Sequence, residues 1–400
     1  MGHSRPPTRR EFLASGVRVV AGATLLASCS GTPGADQTGA APRPSSLRTL
    51  GRTGLSLPVV SIGTAYAMNL VDRALADGMR YIHTSSTYTE HNHERLLGQA
   101  LRKWPRDSFV LGTSPDLPYR FSGGGLSDDV GVGLDPGLIA TSMRESLTRL
   151  GLDHVDIYYL ASVNQRRSVL HEPYIRAFER LKEEGLTRFT GIVTHANEPE
   201  VIRAAAESGA WDVVVTAYNF RQSHREEVAD AIGEAAAAGL GVIAMKTQAG
   251  VYWDRFRLRK INMKAALKWV VQDEHVHTTI PAFSNFDELR EDLEVIADPR
   301  LTPAERADLR LGESAGLTGV FCQQCGACLP QCPSGVNVRA LMRASMYAAG
   351  YGDTGKAVRL LRASGATGEA CGACARCRVG CALGLDVQAS ALDLVTLMRA

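Results

Sequence analysis

From Leu50 onward, short apolar runs alternate with helix-period segments, and the alternation counts to eight. Candidate strands are 59–64, 81–85, 109–114, 155–160, 189–194, 213–219, 241–247 and 276–282. Between them, patterns such as "LIATSMRESLTRLGL" and "REEVADAIGEAAAAGL" repeat apolar residues at helical spacing and stop at glycine. Eight strand–helix units predict an α/β fold of the closed (β/α)₈ type, a TIM barrel. An open doubly wound sheet is the weaker alternative, because no GxGxxG follows the first strand. A closed barrel carries its chemistry at the C-terminal ends of its strands. Here those ends hold Ser85, Tyr88, Ser114, Ala161, Asn164, Thr194, His195, Asn219, Lys246, Ser284 and Asn285.

The chain has 400 residues and nine cysteines, very unevenly placed. Cys29 stands alone. "CQQCGACLPQC" contains Cys322, Cys325, Cys328 and Cys332, and "CGACARCRVGC" contains Cys371, Cys374, Cys377 and Cys381. Each run is C-x₂-C-x₂-C-x₃-C, the bacterial ferredoxin spacing for [4Fe–4S] clusters. Three thiolates two residues apart wrap one face of a cubane, with Gly326 and Gly372 easing the turn, and the fourth cysteine of such a run ligates the other cluster. The expected sets are Cys322, Cys325 and Cys328 with Cys381, and Cys371, Cys374 and Cys377 with Cys332. Disulfides and structural zinc are the rivals. One spacing repeated twice is a strange disulfide framework, and zinc pairs separated knuckles rather than compact runs. The segment between the runs, "VRALMRASMYAAGYGDTGKAVRLLRAS", reads as helical with a break near Gly350.

The start, "MGHSRPPTRREFLASGVRVVAGATLLASC", has the charge, apolar middle and small-residue end of a signal peptide. Its apolar run is too short for a comfortable membrane span. "TRREFLA", with Arg9 and Arg10, resembles the twin-arginine export signal, and "LASC" resembles a lipoprotein cleavage box with Cys29 as the acylated residue. An uncleaved amphipathic anchor is the alternative, kept open by Arg18. Residues 30–46 are rich in Gly, Ala, Pro, Ser and Thr and read as a flexible tether. A net charge of +2, with no basic stripe interleaved with aromatics, argues against nucleic acid as a partner.

"LRTLGRTGLSLPVVSIGT", "YIHTSSTYTEHNHERLLGQAL", "VDIYYL", "GIVTH", "VVVTAYN" and "TTIPAFSNFDELRED" occur in the order in which similar stretches occur in the aldo/keto reductases. The resemblance implies a catalytic tyrosine, lysine, aspartate and histidine and hydride transfer from a nicotinamide. Tyr88 matches the tyrosine. His83 stands where the aspartate belongs, Ser114 where the lysine belongs and Ala161 where the histidine belongs. The resemblance also implies NADP(H) as cofactor, with Lys246, Asn219, Ser284 and Asn285 as candidate contacts. Glu288 stands where the family often has Arg or Gln near the 2′-phosphate, and Asp292 replaces an Asn that contacts adenine. Residues 312–400 resemble the α-helical ferredoxin modules appended to some proteins of this kind.

The expected organisation is therefore a signal (1–29), a linker (30–46), a barrel (47–311) and a two-cluster domain (312–400). The expected function is an exported, lipid-anchored iron–sulfur oxidoreductase with two [4Fe–4S] clusters. It would exchange electrons with a redox partner protein or carrier and act on a small-molecule ligand at the barrel mouth, with Tyr88 and His83 as catalytic candidates. The alternatives are an NADPH-dependent carbonyl reductase and a non-catalytic, ligand- or partner-binding barrel with an electron-transfer module. Three smaller features stay open. His91 and His93, with Glu90 or Glu94, are either metal ligands or, as preferred, part of a solvated loop. The insertion 115–134 is either a lid or a surface loop. His195 either lines the pocket or belongs to the rim.

Overall fold

A computed structural model describes residues 47–89, 91–117, 130–248, 261–314, 322, 326–350, 354–366, 368–374, 376–382 and 384–399. The leader with Arg9, Arg10 and Cys29, Glu90, Cys325 and most of the 115–134 insertion lie outside the described residues.

Strands β1 (Leu47–Thr49) and β2 (Ser56–Pro58) form an antiparallel hairpin. The strands that follow are β3 (Tyr81–His83), β4 (Val110–Thr113), β5 (Val155–Leu160), β6 (Thr187–Thr194), β7 (Val213–Ala217), β8 (Gly241–Met245) and β9 (Thr278–Thr279). They make a parallel sheet in chain order. The expected first barrel strand, 59–64, is present as single bridges, Val60 to Thr279 and Ile62 to Ile82, both parallel. Ser61 N–H donates to Thr279 O (2.8 Å) and Ile62 N–H to Tyr81 O (2.9 Å), so this segment joins β9 to β3 and the sheet closes on itself. A closed sheet has no edge left to pair with another chain.

The connecting helices are α1 (Met68–Ala76), α2 (Asn92–Leu101), α3 (Gly137–Leu150), α4 (Arg166–Val169), α5 (Glu172–Glu183), α6 (Glu198–Ser208), α7 (Arg225–Ala237), α8 (Met263–Val271) and α9 (Phe286–Ala297). Helix α10 (Pro303–Ser314) runs through position 311 and buries Leu309 in one cluster with Phe220, Ile261, Ala265 and Leu301. Beyond the barrel come α11 (Val338–Ser345), α12 (Thr354–Ser364), α13 (Glu369–Gly372) and α14 (Val387–Arg399), which share a core of Leu341, Ala344, Leu361, Ala391 and Leu394.

Strand alternation sorts the barrel into two apolar layers. Tyr81, Val110, Ile157, Tyr159, Val193, Val213, Val215 and Ile243 fill the interior, while the larger cluster packs sheet against helices. Gly112 occupies the one interior position of β4 where a side chain has no room. A Cβ there would stand 2.6 Å from both the Tyr81 hydroxyl and the Tyr159 ring. The hairpin plugs the other end of the barrel. Leu50 is fully buried, and a Cβ on Gly51, at φ +47°, would stand 2.3 Å from Gly241 N. Arg52 fastens the plug to Gly209 O, Trp211 O and the Asp212 carboxylate.

Candidate functional site

β3 delivers His83 to the inner wall of the barrel, almost fully buried. Its Nδ1 is 2.9 Å from Tyr81 Oη, which is 2.8 Å from Tyr159 Oη. Gly112 makes space for this pair of phenols, so the histidine rests on a hydrogen-bonded floor inside the barrel. Burial, with the Lys246 ammonium adding to it, pushes the His83 imidazole down to about 4. The ring is neutral near pH 7, and Nε2 has no protein partner among the described residues. Burial pushes the Tyr81 and Tyr159 phenols well up, so both keep their protons.

A histidine whose folded pKa lies below its ordinary 6.5 stabilises the fold fully above pH 6.5, and that contribution is lost as pH falls through about 4. The shift corresponds to roughly 3 kcal/mol. Burial also lowers His93, His154 and His277, so four histidines share this sign, while the Glu198 hydrogen bond raises His224. Stability measured by denaturant titration should therefore fall between about pH 6.5 and about pH 4, and a His83→Gln variant should show a shallower fall. Identical slopes in the two proteins would contradict the assignment.

Ser114 follows β4. Its hydroxyl donates to Ser85 Oγ (2.9 Å), which lies 3.0 Å from Thr87 Oγ1. The strand end thus carries a chain of neutral hydroxyls. Tyr88, half-buried, follows at once, and its N–H donates to Ser85 O (3.1 Å). Its ring meets His93 edge-on at 6.0 Å, and Tyr66 meets the same histidine at 5.8 Å.

His93 corrects the expectation of a solvated loop. It is buried, with Nδ1 2.8 Å from Thr84 Oγ1 and Nε2 3.0 Å from Ala65 O. Both ring nitrogens are engaged, so it braces the loops after the first two barrel strands. Glu94 is fully buried too, accepting from Thr113 Oγ1 (2.7 Å) and Arg149 Nε (2.8 Å). The neighbouring His91 faces Asp116 at 3.5 Å.

Lys246 and Asn219 stand at the ends of β8 and β7, which are paired Ala217 to Met245. Lys246 has φ +58°, a left-handed conformation that a lysine adopts only when its surroundings impose it. Asn219 is fully buried. Its Oδ1 accepts from Arg221 N–H (3.1 Å), but Nδ2 has no partner among the described residues. Thr247, also buried, has an Oγ1 without a partner among the described residues. Two buried polar atoms left open beside a lysine suit a ligand with acceptor oxygens or ordered water.

Ser284 and Asn285 form the entry to a helix. Asn285 caps α9, its Oδ1 accepting from Glu288 N–H (2.9 Å). The Glu288 carboxylate turns back and accepts from both the N–H (2.7 Å) and the hydroxyl (2.9 Å) of Ser284. This is a variant of the capping box, in which the carboxylate closes on the residue before the cap. Donors that an incoming phosphate would need are already satisfied by a carboxylate. One turn further on, Asp292 is buried, and its Oδ2 has no partner among the described residues. Burial, then Glu291 and Glu288, hold it well above the usual carboxylate range.

Among the described residues, Cys332, Cys371, Cys374 and Cys377 are free thiols. Cys371, in the second run, lies within electrostatic reach of Cys332 from the first run and of Cys377 and Cys374 from its own. Burial and these neighbours together push the Cys371 thiol up. Gln331 holds the runs together. Its Nε2 donates to Ala327 O (2.7 Å) and Gly380 O (3.3 Å), and its Oε1 accepts from Gly380 N–H (2.7 Å). Gln331 and Gly380 are equivalent positions, each immediately before the fourth cysteine of its run. Val338, Met342 and Val387 form an apolar wall behind Cys322, Cys328, Cys332, Cys377 and Cys381. Gathered thiols, a glycine turn at Gly326 (φ +76°) and a dry wall fit two cubane clusters.

A family model described as "Aldo/keto reductase family" matches residues 50–264. The chain belongs to the aldo/keto reductase family. A second model, "4Fe-4S dicluster domain", matches residues 321–386. This aldo/keto reductase family member is 29% identical over 186 residues to the NADH-specific methylglyoxal reductase of Escherichia coli, covering 43% of this chain and 56% of that protein. It is 28% identical over 221 residues to a D-threo-aldose 1-dehydrogenase of a Pseudomonas species, covering 48% and 66%. These matches span about half to two thirds of the length of the curated relatives. An aldo-keto reductase from Bacillus halodurans shares the fold with a TM-score of 0.54 at 23% identity, over 66% of this chain and 95% of its own.

Sequence reasoning did not find Thr247, Gln331 or the Ser284–Glu288 closure. Only the last had a visible signal, the Asn285-x-x-Glu288 spacing of a capping box.

Proposed function

We propose that this aldo/keto reductase family member is an iron–sulfur oxidoreductase in which the family's catalytic tetrad is dismantled and two [4Fe–4S] clusters take over electron supply. The supporting observation is that Cys371 lies within electrostatic reach of Cys332 while Gln331 bonds to Gly380, which brings the two runs together as crossed ligation requires. The proposed ligand sets are Cys322, Cys325 and Cys328 with Cys381, and Cys371, Cys374 and Cys377 with Cys332. When bound, the clusters supply one-electron transfer. The barrel mouth supplies a ligand site. Lys246 offers positive charge, Asn219 Nδ2 and Thr247 Oγ1 offer open hydrogen bonds, and neutral His83 offers Nε2.

The tetrad reading rests on Ser114 and Ala161. No ammonium stands at the first position to tune Tyr88, and no imidazole stands at the second to orient a carbonyl. The NADP(H) implied by the family does not fit at the α9 end, where Glu288 fills the donors. A redox partner protein or small carrier outside the cytoplasm completes the proposal, with the chain exported by the twin-arginine route and held at the outer face of the cytoplasmic membrane, or in the periplasm, by lipid on Cys29.

Anaerobic purification tests the core of this reading. A brown protein with about eight irons and matching sulfide per chain is expected. Stoichiometric zinc, or disulfides in freshly isolated protein, would refute it. Replacing Arg9 and Arg10 by lysine should block export, and unimpaired export would remove the localisation.

A further inference from the structure

The two cysteine runs head two copies of one small unit. Three residues past the last cysteine of each run comes a glycine in the left-handed region, Gly335 at +64° and Gly384 at +69°. Each glycine N–H bonds back to its cysteine carbonyl, at 3.1 Å and 2.9 Å. Next come equivalent caps. Asn337 Oδ1 accepts from Ala340 N–H (3.1 Å), and Asp386 Oδ1 accepts from Ala389 N–H (2.8 Å). Each cap is followed by a buried valine, Val338 and Val387. The copy then breaks, with Arg339 in the first unit and Gln388 in the second.

The two side chains lie over corresponding loops. Gln388 Oε1 accepts from Cys377 N–H (3.0 Å), and its Nε2 donates to Cys374 O (2.9 Å). Arg339 lies on the first loop, with Nη2 3.4 Å from where a Cβ on Gly326 would stand, between Cys325 and Cys328. One loop is braced by a neutral amide and the other is faced by a half-buried guanidinium. Arg376 and Arg378 belong to the second loop, but both are exposed, where water and salt screen them. Arg343, one turn along α11, is directed to Tyr347 Oη at 3.1 Å.

A fixed cation beside a cluster favours its reduced, more negative state, and charge and hydrogen bonding near the sulfurs set cluster potentials. We propose that Arg339 raises the reduction potential of the cluster held by the first run above that of the second, so that an electron entering the pair comes to rest on the first. The step is a single electron leaving one cluster and arriving on the other, with no bond made or broken and no proton moved. The inference rests on the two-cluster reading given above.

The test is an EPR-monitored redox titration of the anaerobically purified full chain, with iron and sulfide counted first. Wild type should show two separate midpoints. Arg339→Gln should lower the higher one, shifting the partition of one electron between clusters about tenfold, or about 59 mV. Arg339→Lys should largely retain the wild-type value, and Gln388→Arg should raise the lower midpoint. Unchanged midpoints in an Arg339→Gln protein with full iron would overturn the proposal. If Arg339→Gln loses iron, Gln388→Arg decides, and an unmoved lower midpoint there overturns it. A wild-type iron count short of two clusters would instead remove the reading on which it rests.

Discussion

Replacing Cys332 by alanine is expected to cost the protein the cluster of the other run. Cys332 belongs to the first run in sequence, yet it lies within electrostatic reach of Cys371 in the second. Iron should fall from about eight to about four per chain. The decisive measurement is a pair of double variants, because two ligands of one cluster act as a unit and their losses do not add. Cys332→Ala with Cys374→Ala should retain as much iron as Cys332→Ala alone. Cys332→Ala with Cys322→Ala should retain almost none. The reverse pattern would mean that each run ligates its own cluster. Gly380→Ala is a useful control, since a Cβ there meets only Gln331 Oε1 at an ordinary 3.7 Å.

The second large effect is an absence of activity. NADPH oxidation with a panel of aldehydes and quinones should stay near background, and Tyr88→Phe should leave it there. General acid assistance of the family's kind is worth about 10²–10⁴-fold in rate, and the proposed dismantled tetrad would leave Tyr88 without its tuning group. Ser114, at the lysine position, is bound to Ser85. At the other end of the expected cofactor, the Glu288 carboxylate opposes a 2′-phosphate by charge and by filling the Ser284 donors. Vigorous NADPH turnover that collapses in Tyr88→Phe would overturn this, and His83 would be the group to examine next.

Most of the barrel was legible because strand and helix periods differ and the alternation is regular. Its first strand was placed correctly, but it is held by isolated bridges rather than a ladder, a distinction that periodicity does not carry. The strand ends were legible as a set, whereas their bonding was not. Nothing local to "TEHNHE" shows that His93 reaches Ala65 O, 28 positions away. Ser284 and Asn285 were read as cofactor contacts by resemblance, although their own spacing to Glu288 spelled a helix cap. The cysteine runs were legible because metal ligation demands fixed spacing. Gln331 was not, since its bonds to Gly380 cross 49 positions.

The hairpin plug has a consequence for traffic. With Leu50 wedged against Gly241 and Arg52 fastened across the strand starts, the barrel is a blind well. Whatever reaches His83 must arrive through the same opening by which its product departs. Two compounds cannot queue from opposite sides, so a dissolved electron donor that needed this well would have to alternate with the substrate and compete with it. Under the proposed function, carriers built into the chain would supply electrons without entering the well, and would leave it to a single visitor.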